Sequence, residues 1–122
     1  MALKFVRFED MKIWQEAGHL TLDIYKLLEK NRDYGFKDQV QRAAVSIMNN
    51  IAEGYERGTT KMFISHLLIA KGSCGEVRSM MYLGYRLGYL EQKEYLRLTD
   101  QAIAISRMIY GFIRSLKNQD NS

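Results

Sequence analysis

The sequence predicts an all-α protein, an antiparallel up-down-up-down four-helix bundle. Three observations carry that reading. The 122 residues contain no proline, so nothing removes a backbone donor from a helix interior. Four segments repeat apolar residues at alternating steps of three and four, the period of a helix stripe turned to a core. Glycine and polar clusters, the usual breakers, separate those segments, and short links between long helices force antiparallel neighbours.

In the first segment, about 9–30, Met11, Trp14, Gly18, Thr21, Tyr25 and Leu28 form one line. Ile13, Ala17, Leu20, Ile24 and Leu27 form a second beside it. Two adjacent apolar lines exceed what one core stripe needs, which points to a second contact with another subunit over the alternative of a wide core-facing surface. The second segment, about 37–57, carries Val40, Ala44, Ile47, Ile51 and Gly54, and the third, about 60–87, carries Phe63, Leu67, Ala70, Cys74, Val77, Met81, Gly84 and Gly88. The fourth, about 91–117, runs through Tyr95, Leu98, Ala102, Ile105, Ile109, Phe112 and Leu116. The breaks fall at Asn31–Gly35, at Gly58 followed by Thr59 as an N-cap, and at Gly88, with Glu91 and Glu94 at the start of the last helix. The polar tail from Asn118 is expected to fray.

The length suits one domain, residues 1–122, and 47% hydrophobic residues fill one core without a disulfide or metal. A single cysteine, Cys74, makes no internal disulfide and fits a reducing compartment. Residues 1–10 lack the apolar run of a signal peptide, and no stretch is long and apolar enough to span a membrane. The expected location is the cytoplasm.

Catalytic patterns fail one by one. A di-iron bundle needs two Glu-x-x-His pairs facing inward; Glu16 and His19 form one, whereas Phe63 stands three residues before the other histidine, His66. Cys74 lies on a core line, where a thiol is a small inert hydrophobe. Ser65 and His66 are adjacent on a helix and diverge by about 100°. No metal, cofactor or enzymatic activity is expected.

Net charge +4 is modest, so its distribution matters more than its size. Stepping 100° per residue places Arg57, Lys61, Lys71, Arg78 and Arg86 in one arc of roughly 100° with Ile64, Leu68 and Tyr82. Glu76, the one acid between Lys61 and Gly88, points away. Lysine and arginine with an interleaved tyrosine suit phosphate contact plus base stacking. An acidic protein partner, a subunit rim or a solvated face whose long stems cover apolar surface fit the same pattern. Arg107 and Arg114 add positive charge two turns apart on the fourth helix. On the second helix Arg42, Ser46, Asn49 and Glu53 form a polar line with Asn50 beside it, which suits either a register-setting contact between subunits or an exposed face. Gly54, within an apolar line, suggests a close backbone approach.

The stretch FEDMKIWQEA at Phe8–Ala17 resembles the opening of the 23S rRNA-intervening sequence proteins, small bacterial four-helix proteins. QRAAVSIMNNIAEGYER at Gln41–Arg57, FISHLLIAKGSCGE at Phe63–Glu76 and LGYL at Leu87–Leu90 extend the resemblance over nearly the whole chain. Met48 stands where the family usually has proline, which implies a straighter second helix. The resemblance implies a homopentamer with no attached enzymatic activity. A related accessory protein of diversity-generating retroelements is similar and binds nucleic acid and a reverse transcriptase through a basic pentamer. Carried over by position, the family residues are Arg42, Asn50, Glu53, Gly54, Arg57, Gly72, Ser73 and Glu76. Their small or polar character suits structural and subunit-packing roles for Asn50, Glu53, Gly54, Gly72 and Ser73.

Overall fold

A computed structural model describes residues 7–120. Among these, four α-helices account for almost all of the chain: α1 Lys12–Leu27, α2 Tyr34–Glu56, α3 Thr60–Arg86 and α4 Gln92–Asp120, preceded by a 3-10 turn at Phe8–Asp10. Neighbours in sequence are neighbours in space, and α1 closes the ring against α4 along the most open seam. The protein is therefore an all-α four-helix bundle, as the periodicity predicts. The expected apolar lines meet in one core, with Leu20, Ile24, Val40, Ile47, Ile51, Phe63, Leu67, Met81, Leu98 and Ile109 all fully buried. Cys74 is buried among them, and burial pushes its thiol up to about 12, so it is an unreactive core residue.

The ends of the helices depart from the expected bounds for local reasons. α1 begins at residue 12 because Met11 is extended (φ −82°, ψ 128°) and drops its side chain into the core. The 3-10 turn before it is fastened by Phe8 against Trp14, ring centroids 5.3 Å apart. α1 stops at Leu27, since Leu28 turns inward and is buried. α2 begins three residues earlier than expected. Asp33 sets the start and leaves Gly35 inside the helix: its carboxylate accepts from the backbone N–H of Phe36 at 3.2 Å and caps the N-terminus. α2 runs without a break past Met48.

The other two breaks form at the expected residues. Gly58 (φ +85°) ends α2, and Thr59 caps α3 by accepting from the Met62 N–H at 3.2 Å. Gly88 (φ +81°) ends α3 in a Schellman motif: the Tyr89 N–H donates to the Gly84 carbonyl at 2.8 Å and the Gly88 N–H to that of Tyr85 at 3.0 Å. The Glu94 carboxylate accepts from the Glu91 N–H at 3.2 Å, half of a capping box. The tail expected to fray is helical to Asp120. Residues 1–6, within the stretch read for a signal peptide, and residues 121–122 lie outside the described residues.

At one end of the bundle the α1–α2 and α3–α4 links are tied together. The Tyr89 hydroxyl donates to the Asp33 carboxylate at 2.6 Å, and its ring packs edge-on against Phe36 with centroids 5.1 Å apart. The tyrosine bond, aided by the Phe36 N–H, lowers the Asp33 carboxyl below its ordinary 3.8. The same bond raises the Tyr89 phenol above 10.0. A depressed carboxyl stabilises the fold above its unfolded value and loses that effect as pH falls through the folded one; a raised phenol stabilises below its unfolded value and loses the effect as pH climbs through the folded one. Tyr89→Phe is thus expected to lower the melting temperature between pH 5 and 9. The gap from wild type should narrow below pH 3.8 and above pH 10.0. Thermal melts across that range check it; a constant gap would mean that the bond adds nothing.

Candidate nucleic-acid interface

The face of α3 that looks outward is decided by the face that looks at α2. Gly54 lies so close to α3 that a Cβ there would meet the Cβ of His66 at 2.7 Å and Phe63 at 3.0 Å, which realises the expected close approach. Flanking it, Asn50 Nδ2 donates to the Ser46 carbonyl at 2.9 Å and to its hydroxyl at 3.1 Å. That fixes the amide orientation and turns Oδ1 toward His66 Nδ1, 3.0 Å away, so this nitrogen carries the proton and donates. Buried Ser73 donates to Ser46 Oγ at 2.9 Å.

The polar line on α2, expected at a contact between subunits, is divided by the fold. Its inner members, Ser46 and Asn50, set register between α2 and α3 of one chain. Asn49, Arg42 and Glu53 are exposed. Arg42 pairs with Asp38 at 2.9 Å. A Cβ added at Gly72 would meet nothing within 4 Å on its own chain, and Glu76 is exposed on a flank of α3.

With that side of α3 committed to α2, the basic arc faces out. Lys61, Arg78, Arg86 and Tyr82 are exposed and Lys71 is half-buried. Arg57 lies outside α3: it is the C-cap of α2, and the 100° step that put it in the arc does not carry across the Gly58 turn. Its guanidinium donates to Glu53 at 2.8 Å and holds that carboxyl below its usual range, with the His66 ring acting in the same direction.

What joins the arc is α4. Tyr85 stacks on Tyr95 (centroids 5.0 Å, planes 7° apart) and Phe63 meets Phe112 at 5.5 Å. These contacts set the antiparallel alignment, and by helical phase Arg107, Tyr110, Arg114 and Lys117 border the same seam. Among the described residues no carboxylate lies within ion-pair distance of Lys61, Lys71, Arg78, Arg86, Arg107, Arg114 or Lys117; the ion pairs are on other residues. Residues 1–59 hold nine Lys and Arg against nine Asp and Glu, and residues 60–122 hold nine against five, so the whole net charge of +4 belongs to the half that supplies α3 and α4. Nothing in composition alone points to that division, and the contribution of α4 needs the α3–α4 alignment.

Glu16 and His19 lie 3.9 Å apart on the surface, and no three His, Cys, Asp or Glu side chains gather among the described residues. Nor is any described helix long and apolar enough to cross a membrane.

Comparison with known proteins fits the resemblance. A family model described as 23S rRNA-intervening sequence protein matches residues 9–111. The chain belongs to that family. A solved structure from Bacteroides thetaiotaomicron, a protein of unknown function from the S23 ribosomal protein family, superposes with a TM-score of 0.77 at 22% identity. The match covers 83% of this chain and 97% of the other, and at that identity it speaks for the fold. No curated protein matches. The family and the structural neighbour carry no known enzymatic activity.

The two surfaces separate in a stability measurement. Asn50→Ala strips partners from His66 and Ser46 and is expected to cost about 1–3 kcal/mol. Lys61→Gln with Arg78→Gln removes no ion pair and should stay within about 0.5 kcal/mol of wild type, or gain slightly at low salt as repulsion falls. Urea unfolding of both variants checks this; a large loss from the paired cation change would make the basic face structural.

Proposed function

We propose that this protein is a non-enzymatic, cytoplasmic, homo-oligomeric adaptor that binds nucleic acid through the basic face of α3. The observation that carries the reading is the row of cations without carboxylate partners. Like charges held together on a surface repel, and a polyanion is the ligand that relieves this, releasing its own counterions. Lys61, Lys71, Arg78 and Arg86 contact phosphates, and Arg57, at the end of α2 and shared with Glu53, is a further candidate.

Assembly is supported by the outer surface of α1 and α2. Part of the spare apolar line of α1 is not used by the core: Trp14 and Gly18 are half-buried, Tyr25 is exposed, and Leu22 beside them is 68% exposed. Trp14, Gly18, Leu22 and Met48 border a largely apolar groove of about 310 Å³, the kind of surface a second copy covers. The resemblance to the family implies five copies. A competing reading gives the basic face to an acidic protein, favoured by exposed Leu68 and Ile69 on α3.

Sedimentation with and without structured RNA at two salt concentrations tests assembly and binding together. The expected result is a species of five times the 14.3 kDa chain, converted to smaller species by Leu22→Lys. RNA should travel with it at low salt, and four phosphate contacts would weaken binding about a hundredfold between roughly 50 and 200 mM salt. Binding that ignores salt, or no RNA binding at low salt, would sink the nucleic-acid reading, whereas a monomer would sink the assembly.

A further inference from the structure

The seam between α3 and α4 mixes its cations with side chains that phosphate does not need. Tyr82 is 49% exposed, Tyr110 53%, Leu68 55% and Leu96 50%. The two tyrosines share one local arrangement, each with an arginine four residues on. Arg86 lies 5.8 Å from the centroid of the Tyr82 ring and donates to its hydroxyl at 2.8 Å. Arg114 lies 5.9 Å from the Tyr110 centroid. Tyr82 is further braced edge-on by Tyr95, centroids 6.1 Å apart. Because the helices are antiparallel, the two units fall at opposite ends of the seam. The Phe63–Phe112 and Tyr85–Tyr95 contacts set Tyr110 level with the turn around Leu67, about fifteen residues of rise from Tyr82, or roughly 22 Å. Lys71, Arg78 and Arg107 lie between; Asp100, two turns before Arg107 on the same side of α4, pairs with none of them.

We infer that this seam takes a single-stranded nucleic acid, its backbone along the central cations and its bases stacked on Tyr82 and Tyr110. This rests on the proposed polyanion reading and narrows it to one strand state. A duplex turns its phosphates outward and hides its base faces, so it offers nothing to half-exposed rings and leucines. A single strand presents both. Charge alone would favour the duplex, whose denser phosphates release more counterions per contact. A preference for the single strand therefore has to come from stacking, which tolerates any sequence. The arginine beside each ring narrows its motion, so less order is lost when a base lands.

The test uses the full chain, an unstructured RNA of about 15 nucleotides, near the upper size such grooves hold, and the duplex of the same length at one low salt concentration. Wild type should bind the single strand more tightly than the duplex. Tyr82→Ala and Tyr110→Ala should each weaken single-strand binding about tenfold, leave duplex binding within about twofold, and keep wild-type melting temperatures. Tyr82→Phe and Tyr110→Phe, which retain the ring, should bind the single strand like wild type. Equal or tighter duplex binding, with no effect of either alanine change, overturns the stacking seam while leaving the charge-driven reading intact. No binding of either RNA, with polyglutamate bound instead, overturns both.

Discussion

The contact between α2 and α3 at Gly54 governs the molecule. A residue with a Cβ at that point would collide with the backbone-proximal carbon of His66, an atom that no rotamer change moves away. The absence of that Cβ lets the two helices approach, and proximity brings the serines and the Asn50–His66 pair within hydrogen-bonding distance. These polar bonds are directional where apolar packing is not. A half-turn rotation of α3 would carry Ser73 and His66 away from α2 and leave half-buried Ser46 and Asn50 without those partners, a loss that hydrophobic contact does not make good. The rotation of α3 is thereby set, and with it the identity of everything on its outer side.

This explains why the basic surface can exist without supporting the fold. The core is complete behind it, from Phe63 through Met81, and the ion pairs that brace the bundle lie elsewhere, as between Arg97 of α4 and Asp23 of α1 at 3.2 Å. The chain carries fourteen acidic residues, enough to screen a short row of cations. Their distribution leaves the row open: nine precede α3, and Glu91 and Glu94 serve the start of α4. Surface charges with no local role in stability are where binding residues are best sought, since packing does not dictate them.

Much of this is legible from residue order, because a helical period is a local property. Every main core line, the glycine turns at 58 and 88, the cap at Thr59 and the inert Cys74 follow from spacing and residue type. The failures share one cause. Continuing a helical phase through Gly58 puts Arg57 in the arc, yet phase has no meaning across a turn. The bonds of Ser46 and Asn50 to α3 are not legible either, because sequence shows that these residues are polar but not that Ser73 and His66 face them. Asp33 and Tyr89 are 56 positions apart, and their bond appears only when the two links meet at one end of the bundle. Tyr110 is likewise invisible in the sequence as a companion of Tyr82, since its place on the seam depends on how α4 slides along α3.

The two exposed surfaces also divide the molecule in a way that suits assembly. The apolar groove with Leu22 and Met48 lies on α1 and α2, whereas the unpaired cations lie on α3 and α4. In a bundle whose spatial order follows its sequence order, these are opposite sides. An apolar contact between copies can then form without bringing the basic rows together, which would cost more as copies are added. The same arrangement would leave each copy's seam turned away from such a contact. Repeated around a ring, several basic rows would act on one polyanion, and binding at one row raises the effective concentration of the strand at the next. A row of only a few cations is weak alone; in a closed assembly it need not act alone.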